Sequence, residues 1–454
     1  MNVVRSDKRP MERFLSLFAE VRPGEASVVL ALTVNVFLLL NAYYLVKPVR
    51  EALILSGQGS AELKSYTAVL QAILLLFIVP AYGWLGSRVP RRRLINIVTL
   101  FFVGCMALFY VLIRAQINVA VAFYLWVGIY SLMIVAQFWS FANDIYTPEA
   151  GKRLFAIVGF GASLGAVVGS TMAGALIRRL GVEPMLLLGA VLLVASLLLT
   201  HWVDAHTRTK ANPASPATDV APLRSSSTFN LVLGNRYLLL MAFMILAYNW
   251  VNSNGEYVLG RLVTEHARDL ISSGEMASQD EKGYIGEFYA RYFGAVNLLS
   301  LVLQLFVVSR LIKYADVPLS VCVMPLLSVI GLTTMTIIPS LIIVRWMKIT
   351  ENATDYSLQN TVRQVLFLPV TREEKYAGKQ TIDTFFVRSG DMLSALLVYV
   401  GSSVLAWKAK DFAIANLLLA IPWLLLAIMV GRGYRQRVTT LPASPAAVAQ
   451  PAGG

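Results

Sequence analysis

PMLLLGAVLLVASLLLTHWVD, residues 184–204, decides the fold class. No Lys, Arg, Asp or Glu interrupts it before Asp204. A helix of about 20 apolar residues matches the roughly 30 Å hydrocarbon core of a bilayer. Five stretches of similar character precede it, at 26–46, 66–86, 94–114, 117–142 and 154–177. Six follow, at 237–260, 286–309, 317–338, 340–366, 382–406 and 412–431. The rhythm predicts an all-α membrane protein with twelve transmembrane helices.

Composition agrees. Hydrophobic residues make up 57% and charged residues 14% of the 454-residue chain, against about 25% charged in ordinary soluble domains. Twelve spans and their loops fill the length, so no soluble catalytic domain fits. The sequence has no G-x-x-x-x-G-K-[ST] phosphate loop, zinc-ligand cluster or nucleophile elbow. We therefore expect no enzyme, no cofactor and no metal. The net charge of +13 is assigned to loops beside anionic lipid and to the spans, rather than to a nucleic-acid partner. Cys105 and Cys322 lie in apolar spans and read as buried thiols.

Loop charge sets the orientation. With the amino terminus inside, basic clusters such as Arg88, Arg91, Arg92 and Arg93, or Arg432, Arg435 and Arg437, fall in inside segments. Outside segments carry fewer, among them Lys64, Arg114 and Lys408. The bias predicts both termini in the cytoplasm of a cell membrane, with a bacterial inner membrane expected. The charged start MNVVRSDKRPMERF lacks an apolar signal core, so the first span is expected to remain as an anchor. A Pro/Ser/Ala-rich segment interrupts the rhythm midway. The expected organisation is a six-helix bundle over 1–205, a cytoplasmic linker over 206–236, a second six-helix bundle over 237–432, and a disordered cytoplasmic tail over 433–454.

A charge at the centre of a spanning helix costs about 2.5–3.5 kcal/mol on insertion scales, and such residues face a partner or a wet cavity. The first span ends in NAYYLVKPVRE, with Lys47, Arg50 and Glu51 at helical steps and Pro48 favouring a kink. Snorkelling at the membrane edge is the plainer reading of these residues. The seventh, AYNWVNSNGEYVLG, sets Asn249, Asn252 and Glu256 on one face. The tenth, IIVRWMKITENATDYSLQNTVRQVLF, repeats Arg345, Lys348, Asn352, Asp355 and Gln359 at steps of three and four, with Glu351 in reach of Lys348. A surface-lying amphipathic helix is its alternative. Arg388 and Asp391 lie three apart in the eleventh span, and Arg291 opens the eighth. Deep cations outnumber deep acids, and guanidinium forks suit phosphate oxygens, so an anionic small-molecule substrate is expected. In the fifth span Gly161, Gly165 and Gly169 recur every four residues, a stripe for close helix packing.

Two resemblances follow. TPEAGKRLFAIVGFGASLG after the fourth span is echoed by TREEKYAGKQTIDTFFVRSGDMLSALL after the tenth, and repeated six-span halves are a signature of major facilitator architecture. GWLGSRVPRRRL, from Gly83 to Leu94, resembles that architecture's G-x-L-a-D-R-x-G-R-R loop at Gly83, Leu85, Arg88, Arg91 and Arg92, with Ser87 and Pro90 departing from it. From the first span to the eleventh, the chain also resembles nucleotide transporters of the ATP/ADP translocase type. VREAL sets Arg50 where that family carries an essential basic residue; AYNWVNSNGE sets Glu256 at its span-seven acid; IDTFFVRSG sets Arg388 near its span-eleven lysine. FWSFANDI and the run Tyr356, Ser357, Leu358 match further patterns, whereas Tyr124 stands where the family has an acid before Leu-Trp.

The resemblance implies a secondary active transporter, moving an ATP/ADP-like nucleotide or related phosphorylated anion by alternating access, as exchanger or proton symporter. Substrate-binding candidates are Arg50, Arg388, Arg345, Lys348, Lys47, Asn249 and Asn252; coupling or gating candidates are Glu256, Glu51, Asp355, Arg88 and Arg91. Tyr43, Tyr44, Tyr248 and Trp250 are candidates to stack on a base. A carrier of another organic anion or amphipathic compound, and a non-transporting membrane sensor, are the alternatives. A monomer in the lipid bilayer is expected.

Overall fold

The computed structural model describes residues 21–22, 24–57, 59–146, 148–208, 228–371, 374 and 378–440. All regular structure among them is helical. The first six long helices are α1 (Ala26–Leu55), α2 (Ser60–Arg88), α3 (Arg91–Arg114), α4 (Ala120–Ile145), α5 (Pro148–Leu180) and α6 (Pro184–Arg208). A short α7 (Thr228–Gly234) precedes α8 (Arg236–Ser272), α9 (Glu281–Phe306), α10 (Val308–Ile337), α11 (341–366), α12 (379–404) and α13 (Ala409–Thr440).

Each expected span maps onto one long helix. Eight of them, α1 to α6, α10 and α13, are long and apolar enough to cross a membrane on those grounds alone. The other four, α8, α9, α11 and α12, are of comparable length but more polar, carrying embedded charges beside those of α1. Two of these contain π-turns, at Asp355–Gln359 in α11 and at Ile382–Phe386 and Val400–Val404 in α12. Such turns interrupt the regular hydrogen-bond ladder and gather at functional positions.

Several boundaries differ from expectation. α1 runs through Pro48 to Leu55, because the amphipathic run after residue 46 still favours helix although it ends the hydropathy window. Lys47, Arg50 and Glu51 therefore lie within a helix, and Lys47 and Glu51 are buried, unlike snorkelling side chains. α10 breaks at Asp316 (φ 62°, ψ 167°), whose Oδ1 accepts from the Val317 amide at 2.7 Å. That break realises the short connection expected between the eighth and ninth spans. α13 continues to Thr440, so residues 433–440 are helical rather than part of a disordered tail; RGYRQRV contains no helix breaker after Gly433. Residues 209–227 of the linker and 441–454 of the tail lie outside the described residues.

The chain divides into two compact units. The first comprises Met1–Thr218 with Gly260–Leu298, the second Asp219–Leu259 with Leu299–Gly454. In the first, α1 packs against α5 along the glycine stripe. A Cβ added at Gly161, Gly165 or Gly169 would come within 2.5, 2.4 and 2.7 Å of the carbonyl oxygens of Thr33, Phe37 and Asn41. Only a glycine stripe permits that approach. Polar clasps hold α1 to α6: the Ser196 hydroxyl donates to Asn35 Oδ1 at 2.6 Å, and Asn35 Nδ2 donates to Thr200 Oγ1 at 2.7 Å. The second unit has its own clasp. Ser394 donates to Asn254 Oδ1 at 2.7 Å, Asn254 to Asn416 Oδ1 at 3.1 Å, and Asn416 to the Val251 carbonyl at 3.0 Å. In an apolar interior these groups need one another, since an unpaired buried amide costs about 1–3 kcal/mol.

Candidate functional site

In the first unit the charges of α1 meet a partner from α2. Arg50 Nε donates to Glu51 Oε1 at 3.0 Å, and Lys64 Nζ forms an ion pair with Glu51 Oε2 at 2.8 Å. Glu51 is 1% exposed. Arg50 lies over the Tyr124 ring, its guanidinium carbon 4.7 Å from the centroid. Lys64 Nζ is 5.2 Å from the Tyr289 centroid. Lys47 Nζ sits 3.9 Å from the Phe293 centroid and 5.1 Å from that of Tyr44. Two cations, Arg50 and Lys64, thus hold one buried carboxylate, and a third, Lys47, lies one helical turn before it against aromatic rings, so the balance is positive. Cation–π contacts contribute about 0.5–2 kcal/mol each, more where water is excluded. They steady the cations without neutralising them.

Lys64 escapes the sequence reading, which starts the second span at residue 66 and leaves Lys64 in an outer loop. α2 begins at Ser60, and the turn from Leu55 to Ser60 folds Lys64 back onto Glu51. The signal in the sequence is an acid and a base on either side of the short Gly-containing stretch SGQG.

The second unit holds a different arrangement. Lys348 is fully buried, 0% exposed. Its Nζ donates to Asn252 Oδ1 at 2.7 Å and lies 3.2 Å from Glu351 Oε2 and 3.5 Å from Glu256 Oε1. Ser328 of α10 donates to Glu351 Oε1 at 2.6 Å, and Asn352 Nδ2 donates to Glu256 Oε1 at 2.9 Å. Gly255 makes room: a Cβ there would meet the Lys348 side chain at 3.2 Å. Asn249 does not join the cluster; its amide donates to its own helix at Ile245 O, 2.9 Å away. Asp355 faces Tyr248, Arg363, Lys348 and Glu351. Arg363 pairs with Asp383. Arg345 lies one turn before Lys348 and is half-buried.

In α12 the Arg388 side chain is 37% exposed and reaches Asp391 at 3.3 Å, and Ser253 holds Asp391 at 2.8 Å. Gly390 sits so close to α8 that a Cβ would come 2.8 Å from the Leu246 carbonyl, which fixes where Arg388 emerges. The cation surplus expected for the spans is therefore a property of the first unit. In the second, Lys348 has Glu256 and Glu351 beside it, Arg363 has Asp383, and Arg388 has Asp391.

Two loop candidates are also located. Arg91 bridges α4 and α6, 2.6 Å from Asp144 and 3.4 Å from Asp204. Its latch thus takes acids from other helices, although Ser87 replaces the motif's own. Arg88 is exposed and stacks on Trp84 at 4.3 Å. Nearby, Arg153 of α5 holds Glu25 before α1 at 2.9 Å. Burial raises the Glu25 carboxyl, but hydrogen bonds and charge from Arg153 and Arg22 outweigh it and hold the group below the usual range.

The family profile described as Major Facilitator Superfamily matches residues 32–367. This chain belongs to that superfamily. Facilitator structures share its fold at low identity. A bacterial homolog of the human lysosomal transporter Spinster, inward-facing and unoccupied, aligns with TM-score 0.59 at 12% identity, covering 93% of this chain and 99% of that one. The nucleoside transporter NupG aligns with TM-score 0.54 at 10% identity, covering 91% and 100%. Among sequence relatives of this facilitator, ADP,ATP carrier protein 2 of Chlamydia pneumoniae is 21% identical, with 95% of this chain and 93% of the relative covered. ADP,ATP carrier protein 1 of Chlamydia muridarum (strain MoPn / Nigg) is 21% identical with the same coverage. The similarity agrees with the family resemblance read from the sequence. The facilitator is a multi-pass membrane transporter.

Proposed function

We propose that this facilitator carries an ATP/ADP-like nucleotide, or a closely related phosphorylated anion, across a membrane by alternating access. The observation that carries the reading is the pair Arg50 and Lys64 on the single buried carboxylate of Glu51, with Lys47 one helical turn away against aromatic rings, in a chain similar to ADP,ATP carriers over nearly its whole length. A polyphosphate brings several negative charges, and three aromatic-walled cations with one counter-ion suit it. In the empty carrier Glu51 holds Arg50 and Lys64 apart from bulk water; cargo phosphate competes for both. Arg388 is a further phosphate ligand, with a guanidinium more than a third exposed. Arg345 adds positive potential.

We place both termini on the cytoplasmic side, on the loop-charge bias, and the carrier in a bacterial inner membrane, as the relatives it resembles are bacterial. It acts as a carrier without chemistry on its cargo. The test is uptake of labelled ATP and ADP into proteoliposomes. Arg50→Ala and Arg388→Ala each lower uptake at least about tenfold, the equivalent of one charge-assisted hydrogen bond. Uptake unchanged in both variants refutes the site. Stabilisation by a carboxylate with none by any nucleotide refutes the cargo.

A further inference from the structure

We infer that a recess between α8 and α13 binds the head group of an anionic phospholipid of the inner leaflet. The identity of the cargo does not enter; only the choice of leaflet rests on the orientation proposed above. The recess has a volume of about 430 Å³ and is lined by Arg236, Tyr237 and Leu240 of α8 and by Met429, Arg432 and Arg437 of α13. Small-molecule sites span about 300–1,000 Å³, so a head group fits.

The two helices run antiparallel along it. Tyr237 lies against Gly433, and Tyr248 against Trp423 with ring centroids 5.5 Å apart. A Cβ at Gly433 would come 3.0 Å from the Tyr237 ring, so the lack of a side chain there lets that ring form the floor. The Tyr237 hydroxyl donates to the Leu366 carbonyl of α11 at 2.9 Å and anchors it.

The lining changes character with depth. On α8, Arg236, Leu240 and Phe243 follow steps of four and three and share a face. On α13, Leu425, Met429, Arg432 and Gln436 follow steps of four, three and four and do the same. Both series pass from polar and basic at the inner end to apolar towards the middle of the helix, and Phe243, Leu425 and Met429 are exposed. A phospholipid has the same order, with phosphate at the surface and acyl chains within. A soluble anion would engage the arginines and leave the apolar half bare.

Charge selects an anionic head group. Arg437 is already engaged: its Nη2 donates to Asn235 Oδ1 at 2.8 Å, its guanidinium carbon lies 4.8 Å from the Tyr237 centroid, and Asn235 also binds Glu374. Arg236 and Arg432 are exposed and make no hydrogen bond or ion pair among the described residues. Phosphate oxygens match two such guanidiniums. Basic pockets between spanning helices on the cytoplasmic side bind anionic head groups in this way. Composition alone spreads the positive charge over all inner loops. The fold gathers Arg236 and Arg432 into one recess and leaves Arg435 outside it, 3.6 Å from Asp316.

Native mass spectrometry of the full-length protein in a neutral detergent tests this, with dioleoyl phosphatidylglycerol or dioleoyl phosphatidylcholine titrated in. Wild type should bind the first phosphatidylglycerol at least about tenfold more tightly than phosphatidylcholine, since each arginine beside the head group contributes about fivefold. The double variant Arg236→Gln with Arg432→Gln should lose that preference, and each single variant about fivefold of it. Arg435→Gln removes the same charge from the same helix and should keep the preference. The single variants carry the test if the double variant does not elute as a monodisperse peak. Equal affinity of wild type for the two lipids overturns the inference. An equal loss in Arg435→Gln, the mark of diffuse surface charge, overturns it too. So does displacement of the lipid by inorganic phosphate at the lipid's own concentration, the mark of a free-anion site. Nucleotide uptake is read in none of these measurements, so the cargo stands or falls separately.

Discussion

Gly165 offers a decisive test of the packing on which the first unit depends. An added Cβ would lie 2.4 Å from the Phe37 carbonyl oxygen and 2.9 Å from its Cα. Both atoms are backbone and cannot swing aside, so α5 and α1 must separate. Gly159 lies on the same helix, and a Cβ there meets nothing within 4 Å. Alanine at either position gains about 1 kcal/mol of helix propensity over glycine. At Gly159 that gain stands alone. At Gly165 it is set against overpacking of about 1–3 kcal/mol, taken at the upper end because the clash is with backbone. The two variants should therefore differ by about 2–3 kcal/mol of unfolding free energy, Gly159→Ala being stabilised and Gly165→Ala destabilised. Denaturant unfolding in a fixed detergent, followed by tryptophan fluorescence, reads both. Equal stabilities would refute the close approach of α5 to α1, and with it the positioning of Lys47 and Arg50 by that helix pair.

Three further outcomes follow from named contacts. Tyr124→Phe keeps the ring under Arg50 and should retain nucleotide uptake, whereas Tyr124→Ala removes about 0.5–2 kcal/mol of cation–π contact and should raise the KM several-fold. Asn254→Ala leaves Ser394 and Asn416 without their shared partner and should cost about 1–3 kcal/mol in the same unfolding assay; a neutral result would refute the second unit's clasp. Because the Glu25 carboxyl is held below its usual value, the Glu25–Arg153 pair stabilises above the unfolded carboxylate value, near pH 4.3, and is lost as pH falls through the folded value. The pair is partly exposed, so its contribution is under about 1 kcal/mol. Stability profiles of wild type and Arg153→Gln should separate at neutral pH and converge in acid, and parallel profiles would refute the linkage.

The spans were legible because the bilayer imposes a one-dimensional rule: length and apolarity suffice, and neighbours in space do not enter. The glycine stripe was legible for a related reason, since steps of four place Gly161, Gly165 and Gly169 on one face whatever packs there. The edges of spans were not. Hydropathy ends α1 at residue 46 and starts α2 at 66, whereas the helices extend to Leu55 and back to Ser60, and that overlap is where Glu51 meets Lys64. Spacing also grouped Asn249 with Asn252 and Glu256. Asn249 turns to its own backbone while Asn252 reaches Lys348, a choice made by the gap at Gly255 and the neighbouring α11.

The amino-acid order alone determined the helical class, the approximate spans and the inventory of embedded charges, because each depends on composition within a single segment. Which charges neutralise one another was decided only by the tertiary structure. Coulomb energy depends on distances between helices that are far apart in sequence, and those distances separate a basic interior around Glu51 from a paired one around Lys348.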